Sequence, residues 1–151
     1  MAFPTIVGTD GVFESTGNST SHAVPYPTGV PGGIQAGDLL VVICAYDGTA
    51  SVTDWNGWTG LKTMPDGTGT VTGITGFKVA AGGETGSITF GTSPTERGAW
   101  RMMCIRGADP ATAPAVSSGA TGNSTNANPD SLTVGWAGED VLWLAVAALD
   151  Q

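Results

Sequence analysis

The feature that most constrains the fold is an unbroken apolar run, Leu39–Tyr46, which lies between Gly37 and Gly48. Eight consecutive apolar residues, three of them β-branched, predict a strand that is covered on both faces, and such a strand lies in the middle of a sheet. Two later runs have a similar character, Ala99–Arg106 and Val141–Leu149. For the second of these runs a short helix is the alternative, because it is rich in alanine.

Composition favours strands over helices in the rest of the chain. There are 24 glycines, and charged residues make up 12% of the sequence, against roughly 25% in typical globular domains. Helices are built mainly from Ala, Leu, Glu, Lys and Arg, so this composition suits short strands joined by glycine- and proline-rich turns. We expect an all-β protein, an antiparallel β-sandwich of jelly-roll type with about nine or ten strands. The weaker predicted strands are Pro4–Val7 and Val12–Ser15, as a hairpin around Asp10-Gly11, and then Ser21–Val24, Trp58–Met64, Thr70–Ala80, Gly86–Phe90 and Ser131–Trp136.

The length of 151 residues is that of one domain, and we expect residues 1–151 to form a single β-sandwich. Residues 107–130 contain no aromatic side chain, and they predict a long exposed loop. The N-terminus has neither the basic start nor the apolar stretch of a secretory signal, and the apolar runs are too short to cross a bilayer. We therefore expect a soluble chain that is made in the cytoplasm.

The charge balance excludes two classes of partner. The chain has 13 acidic and 5 basic residues, which gives a formal net charge of −8. A nucleic-acid backbone would repel such a chain, and so would an anionic membrane surface. We expect neither nucleic-acid binding nor membrane insertion.

The sequence offers little for catalysis. His22 is the single histidine, so a Ser–His–Asp triad would have to use it, and no Gly-x-Ser-x-Gly elbow is present. Carboxylate pairs suited to glycoside hydrolysis would come from Asp47, Asp54, Glu84 and Glu96, but most of these lie beside Gly, Thr or Pro, as turn residues do. We expect no enzyme activity, no catalytic residue, no cofactor and no metal site.

The two cysteines, Cys44 and Cys104, each lie inside an apolar run. Buried strand cysteines usually behave as small hydrophobic residues. A disulfide between them is the alternative, and it would require their Cα atoms to lie within about 7 Å of each other.

Five tryptophans raise the hypothesis of carbohydrate stacking. Trp100 and Trp143 lie in strong predicted strands and are expected in the core. Trp55 and Trp58 flank Asn56-Gly57 in a predicted loop, and they are the best exposed candidates for stacking on a sugar. The preferred interpretation of this Gly-Trp-Thr stretch is that it closes one end of a sandwich, and sugar binding is the alternative.

Several short motifs, taken in their order along the chain, resemble a family of virion proteins of tailed bacteriophages that is common in marine phages. The resemblance runs through most of the chain. It rests on Phe3-Pro4-Thr5-Ile6-Val7-Gly8, Ile34-Gln35-Ala36-Gly37-Asp38-Leu39-Leu40-Val41, Gly57-Trp58-Thr59, Lys78-Val79-Ala80 with Glu84, Thr121-Gly122-Asn123-Ser124 and Asp140-Val141-Leu142-Trp143-Leu144-Ala145-Val146.

The resemblance implies a jelly-roll or lectin-like sandwich on the outside of a virion, with no catalytic motif. The expected role is capsid decoration or head fibre, and the alternative is a tail-fibre or tail-tip protein that binds host-surface carbohydrate. Expected partners are the major capsid protein or tail proteins, together with further copies of the chain as a homotrimer. Such proteins tend to extend beyond the equivalent of Asp150, so residues 1–151 are expected to be an N-terminal portion. Candidate subunit contacts are Phe3, Ile6, Val7, Ala115 and Val116.

Overall fold

The computed structural model describes residues 3–65, 69–117, 131–133 and 141–148, and within these ranges it contains eight strands and no helix. A main sheet has the strand order β1-β8-β3-β6-β5, and a small sheet has the order β2-β7-β4. All neighbouring strands are antiparallel. The all-β prediction is therefore confirmed. The strands are β1 Thr5–Glu14, β2 Ser19–Pro25, β3 Leu39–Asp47, β4 Ser51–Asp54, β5 Thr59–Pro65, β6 Val71–Val79, β7 Ser87–Glu96 and β8 Gly98–Arg106.

The strand at the centre of the main sheet is β3, as its apolar run predicts. It is hydrogen-bonded to β6 on one side and to β8 on the other. Its alternate side chains point to opposite faces of the sheet. Leu40, Val42, Cys44 and Tyr46 point toward the small sheet and are buried. The predicted strands that became β2, β5, β6 and β8 are confirmed as well.

The core between the two sheets is rich in aromatic rings. Phe90 of β7 stacks on Trp100 of β8 with ring centroids 5.0 Å apart. Tyr46 meets the edge of Trp100 at 5.3 Å. Burial of these large apolar groups is the main favourable term for such a fold. The buried members of this core are Val24, Tyr26, Val30, Ile34, Leu40, Val42, Cys44, Tyr46, Ala50, Trp58, Ile74, Ala80, Phe90, Trp100, Met102 and Cys104.

The predicted N-terminal hairpin around Asp10-Gly11 is wrong. Strand β1 continues through these residues and pairs with β8, with register shifts near Gly8 and Gly11. The Asp10 carboxylate instead accepts hydrogen bonds from the backbone N–H groups of Thr28 and Gly29, at 2.9 and 3.0 Å. An Asp-Gly pair favours a turn, but here the acid holds a loop from elsewhere in the chain.

The prediction of a buried strand at Val141–Leu149 is also wrong for the residues that the structure describes. Residues 141–148 belong to no strand or helix, and Trp143, expected in the core, is 56% exposed. Of the predicted strand Ser131–Trp136, residues 131–133 are not in a strand, and the rest lie outside the described residues. Of the predicted loop 107–130, residues 107–117 form no strand and 118–130 lie outside the description.

A nearly buried ion pair joins the start of β3 to the end of β8. Asp38 is 4% exposed, and its carboxylate accepts hydrogen bonds from Arg106 Nε at 2.9 Å and Nη2 at 2.7 Å. It also accepts from the Gln35 backbone N–H at 2.9 Å. The same guanidinium donates to the carbonyls of Pro31 and Gly33. The hydrogen bonds from Arg106 hold the pKa of Asp38 below its usual value, although burial acts in the opposite direction.

Replacing Asp38 by Asn should destabilise the fold, because it leaves the Arg106 guanidinium without its anionic partner. We expect a loss of about 2–4 kcal/mol in the free energy of unfolding at pH 7, measured by urea denaturation. The stabilisation by the ionised Asp38 carboxylate is fully present above its unfolded pKa of 3.8. It is lost as pH falls through the lower pKa of the folded state. The control is Asp109→Asn, whose carboxylate is exposed and makes only local turn contacts to Ala111 and Thr112. Equal losses in the two variants would contradict a special role for Asp38.

Candidate interaction surface

The main sheet is apolar on both faces. On the face that points away from the small sheet, here called the outer face, Leu39, Val41, Met103 and Ile105 form a second buried cluster. Ile43 and Phe77 pack against it. The alternation of side chains along β3 produces both surfaces from one continuous apolar run. A sandwich with two sheets needs only one of these faces for its core.

The outer face extends to the edge of the main sheet. Ile6 of β1 lies opposite Ile105 of β8, which in turn lies opposite Leu39 of β3. The Ile6 side chain at the sheet edge is 41% exposed, whereas Ile105 and Leu39 are only 3% and 9% exposed. Val12, also on β1, is 44% exposed. The β1 side of the outer face therefore presents Ile6 and Val12 to solvent, with the exposed Arg101 of β8 opposite Val12.

Two later segments of the chain cover the middle of the outer face. Ala108, just after β8, and Leu142 both pack against the buried cluster. Ala148 lies over Gly73 of β6, because a Cβ added to this glycine would lie 3.2 Å from the Cβ of Ala148. Residues 141–148 thus form a cover on the outer face. On this cover, Trp143 and Leu144 are 56% and 40% exposed, so the cover adds large apolar side chains to the surface.

The opposite surface of the molecule, the outward face of the small sheet, has a different chemistry. The positions that alternate with its buried residues are small, and most of them carry hydroxyl groups. Few apolar side chains are offered to a partner there. The outward positions are Ser21, Ala23, Ser51, Ser87, Thr89, Gly91 and Ser93, with the exposed Asp54 opposite Gly91 at a register shift.

The predicted subunit contacts fall into two groups. Phe3, Ile6 and Val116 are 51%, 41% and 43% exposed, and Ala115 is exposed as well. Val7, by contrast, is only partly exposed and packs against the core between the sheets. Residues 5–7 already belong to β1 and pair with β8 of their own sheet. The N-terminal segment is thus part of this chain's own main sheet.

Trp58 is buried, in agreement with the interpretation that the Gly-Trp-Thr stretch closes one end of the sandwich. Its side chain is 5% exposed and meets the edge of Phe90 at 5.6 Å. Trp55 is half-buried, and it lies across β5 and β6 at two glycines that leave room for its ring, Gly60 and Gly76. The turn between them, with φ of 47° at Asn56 and 82° at Gly57, directs both tryptophans onto the sandwich. The two rings therefore help to close one end of the core.

The candidate acids lie in separate places and mostly do structural work. Asp54 accepts a hydrogen bond from the Asn56 backbone N–H at 2.8 Å. Glu84 accepts from the backbone N–H groups of Ala81 and Gly82 at 2.7 and 3.0 Å. Asp47 is exposed at the end of β3, and the Glu96 carboxylate lies 3.2 Å from the position of a Cβ added at Gly48.

Both cysteines are buried free thiols. Burial, together with the nearby Asp38 carboxylate, raises the pKa of Cys104 to about 12. Burial also raises the pKa of Cys44 far above its usual value. Neither thiol is a reactive nucleophile at neutral pH.

His22, which stands in a polar stretch of sequence, is fully buried. Its Nε2 atom lies 3.1 Å from the Thr92 hydroxyl, and rings surround it. The sequence signal for this burial is the alternation of His22 and Val24 with the exposed Ser21 and Ala23.

Among the described residues, no group of three or more His, Cys, Asp or Glu side chains is placed to hold a metal ion. Within the same ranges, no helix has the length and apolar character needed to cross a bilayer.

Comparisons with known proteins found no similar one: no family model, no curated protein and no solved structure matches this chain.

Replacing Gly76 by Ala tests whether Trp55 is a fixed part of the core. A Cβ at this position would lie 2.3 Å from Cζ3 of the ring and 3.1 Å from the Thr59 carbonyl. We expect the variant to lose about 1–3 kcal/mol of stability and its tryptophan fluorescence to shift to longer wavelength. Gly17→Ala is the control, because a Cβ there meets nothing within 4 Å. An unchanged spectrum and stability in Gly76→Ala would mean that the Trp55 ring is free to move.

Proposed function

We propose that this chain is a non-enzymatic structural protein on the exterior of a tailed-bacteriophage particle, as a capsid decoration or head-fibre protein. The observation that carries the proposal is the contrast between its two outward surfaces. One is an apolar sheet face with exposed Ile6, Val12, Trp143 and Leu144. The other is lined with small and hydroxyl-bearing side chains. Such a molecule is suited to pack one face against a neighbour and to present the other to water.

The strand order supports a jelly roll, the architecture common in viral capsid domains. In a jelly roll of eight strands the chain folds as a ribbon, so that β1 lies beside β8, β2 beside β7 and β3 beside β6. All three pairs are present here. The departure is β5, which pairs with β6 at the edge of the main sheet instead of joining β4 in the small sheet.

Burial of the exposed apolar side chains of the outer face would contribute favourable free energy to association. An aromatic side chain offers roughly 150–250 Å², and Trp143 leaves 56% of its surface exposed. Burying that part would contribute roughly 2–3 kcal/mol at about 25 cal/mol per Å². Ile6, Val12 and Leu144 would add to this contribution.

The sheet edges are poor sites for association. The β1 edge is irregular, and Asp10 on it holds residues 28 and 29. At the opposite edge, β5 has a register shift between Gly60 and Lys62. Irregular edges of this kind protect a sheet against strand addition. We therefore propose that neighbours meet the face of the main sheet and not its edges.

The proposed partners are the major capsid protein and further copies of the chain, as a homotrimer. Decoration and fibre proteins are often found on threefold axes, so this oligomeric state is an analogy. The apolar outer face can serve both kinds of contact. The chain is made in the host cytoplasm and then joins the particle.

A tail-fibre protein that binds host carbohydrate is the alternative role. It relied on Trp55 and Trp58 as an exposed stacking pair. Trp58 is buried and Trp55 lies against Phe90, with centroids 5.9 Å apart. No pair of exposed rings in the described residues favours this alternative over the structural one.

Immunogold electron microscopy tests the proposal directly. Antibodies raised against the recombinant chain would be applied to purified particles of the phage that encodes it. We expect regular label over the capsid surface, with pre-immune serum as the control. Label confined to the tail would shift the assignment to the tail-fibre alternative. Particles without label would contradict a virion role.

A further inference from the structure

One ionisable side chain, His22, lies inside the aromatic core. Its ring contacts those of Phe13, Tyr46 and Trp100, with centroids 6.1, 5.5 and 5.6 Å away. These three residues belong to β1, β3 and β8 of the main sheet, whereas His22 belongs to β2 of the small sheet. The imidazole is therefore a contact between the two sheets.

The hydrogen bonds of this cluster fit one neutral tautomer of the ring. The Thr92 hydroxyl donates to the Ser19 carbonyl at 3.4 Å. In the tautomer that is compatible with this bond, His22 Nε2–H donates to the Thr92 oxygen at 3.1 Å. Nδ1 is then the nitrogen with the free lone pair. It is buried and has no hydrogen-bond partner among the described residues.

No opposite charge faces this nitrogen to compensate a proton. The ionisable groups on the same side of β3 are Tyr46 and Cys44, and burial raises the pKa of both, so they are uncharged at neutral pH. Glu14 of β1 is exposed and lies opposite Ala99. Glu96 of β7 has its carboxylate against Gly48. On β2 and β8, no carboxylate lies beside the ring, and the lowered pKa of His22 comes mainly from burial, with the Ser19 carbonyl acting the other way.

The strand that carries His22 lies at a sheet edge. Strand β2 is hydrogen-bonded on one side only, to β7, at the edge of the small sheet. The loop before it borders a surface hollow of about 350 Å³ lined by Phe13, residues 14–19 and Ser21. Phe13 also contacts the His22 ring, so the hollow lies one side chain away from the imidazole.

We propose that His22 is an acid-sensitive latch: the neutral imidazole holds β2 against the main sheet, and proton uptake at Nδ1 releases β2 and the loop before it. The protonated ring would place an N–H donor without an acceptor among aromatic rings, which is unfavourable. Release lets the imidazolium reach water. This inference does not depend on a virion role.

The direction of the pH effect follows from the lowered pKa of His22. In the open state its pKa is near 6.5, so the open state binds a proton as pH falls through that value while the closed state does not. The stability of the closed state relative to the open state is thus greatest above pH 6.5, and it decreases as pH falls below that value. Between pH 7.5 and 5.0 the opening equilibrium should rise up to about 30-fold, the limit for a closed state that takes no proton. Hydrogen bonds hold the pKa values of Asp10, Asp38 and Asp109 below the usual 3.8, so these three carboxylates contribute little in this range.

Hydrogen exchange measured by mass spectrometry tests the latch, with His22→Gln as the matched variant. Glutamine keeps a side-chain amide near Thr92 but does not titrate. Between pH 7.5 and 5.0, after correction for intrinsic exchange, residues 15–25 of the wild type should lose up to about 30-fold in protection. Residues 98–106 should change little, and the variant should show no such pH dependence. Equal behaviour of the two proteins, or equal loss in both segments, would overturn the proposal.

Nuclear magnetic resonance gives a second test that needs no variant. Because the chain has a single histidine, its Cε1–H signal is assigned without ambiguity. We expect the signal of the closed state to stay at the neutral-imidazole position as pH falls through 6.5, while a separate protonated signal grows for the open state. An ordinary titration near pH 6.5, with the fold and exchange protection intact, would show that His22 is not a latch.

Discussion

The ion pair between Asp38 and Arg106 connects the parts of the chain on which the rest of the structure depends. Asp38 precedes the central strand β3, Arg106 ends β8, and the guanidinium also binds two carbonyls of the β2–β3 loop. That loop supplies Tyr26, Val30 and Ile34 to the core. A long loop rich in glycine and proline loses much entropy on ordering. Several charge-assisted hydrogen bonds from one arginine offset part of that cost and fix the loop over the end of the sandwich.

The central position of β3 also explains the surface that we assign to a partner. Its apolar run supplies one row of side chains to the aromatic core and another to the outer face. The cover formed by residues 141–148 buries only the middle of that outer face, and it brings Trp143 and Leu144 to the surface. The small sheet, whose strands alternate large buried and small exposed residues, has an outward face suited to water. The proposed virion role relies on this combination of one apolar face and one face lined mainly by small and hydroxyl-bearing side chains.

The sequence predicted what depends on strong local patterns. Long apolar runs bounded by glycine located β3 and β8, because a buried central strand needs that pattern. Strand β4 was missed because only Val52 in Ser51–Asp54 is a large apolar residue. The long reach of β7 to Glu96 was missed because Pro94 reads as a break. The apolar run at 141–148 led to the wrong prediction of a strand, because a segment that packs on a sheet face can have the same apolar composition as a strand.

Contacts between distant residues left almost no signal in the sequence. Asp38 and Arg106 are 68 positions apart, and nothing near either residue identifies its partner. Trp58 stands beside an Asn-Gly turn that suggests exposure, but the turn folds the ring onto Phe90. His22 stands among serines and threonines, and only its alternation with Val24 hints at burial. Of the candidate subunit contacts, Ile6 lies on the outer face, and the centre of that face on the main sheet was not predicted.

The central claim is that the outer face of the main sheet, and not the outward face of the small sheet, meets the particle. Its most direct test is maleimide labelling of two single-cysteine additions, Val12→Cys and Thr89→Cys, on the free chain and on assembled particles. The native Cys44 and Cys104 are buried and give little background, while positions 12 and 89 are both exposed in the free chain. We expect assembly to protect the cysteine at position 12 from maleimide and to leave the cysteine at position 89 reactive. Protection of position 89 with position 12 still reactive would contradict the central claim.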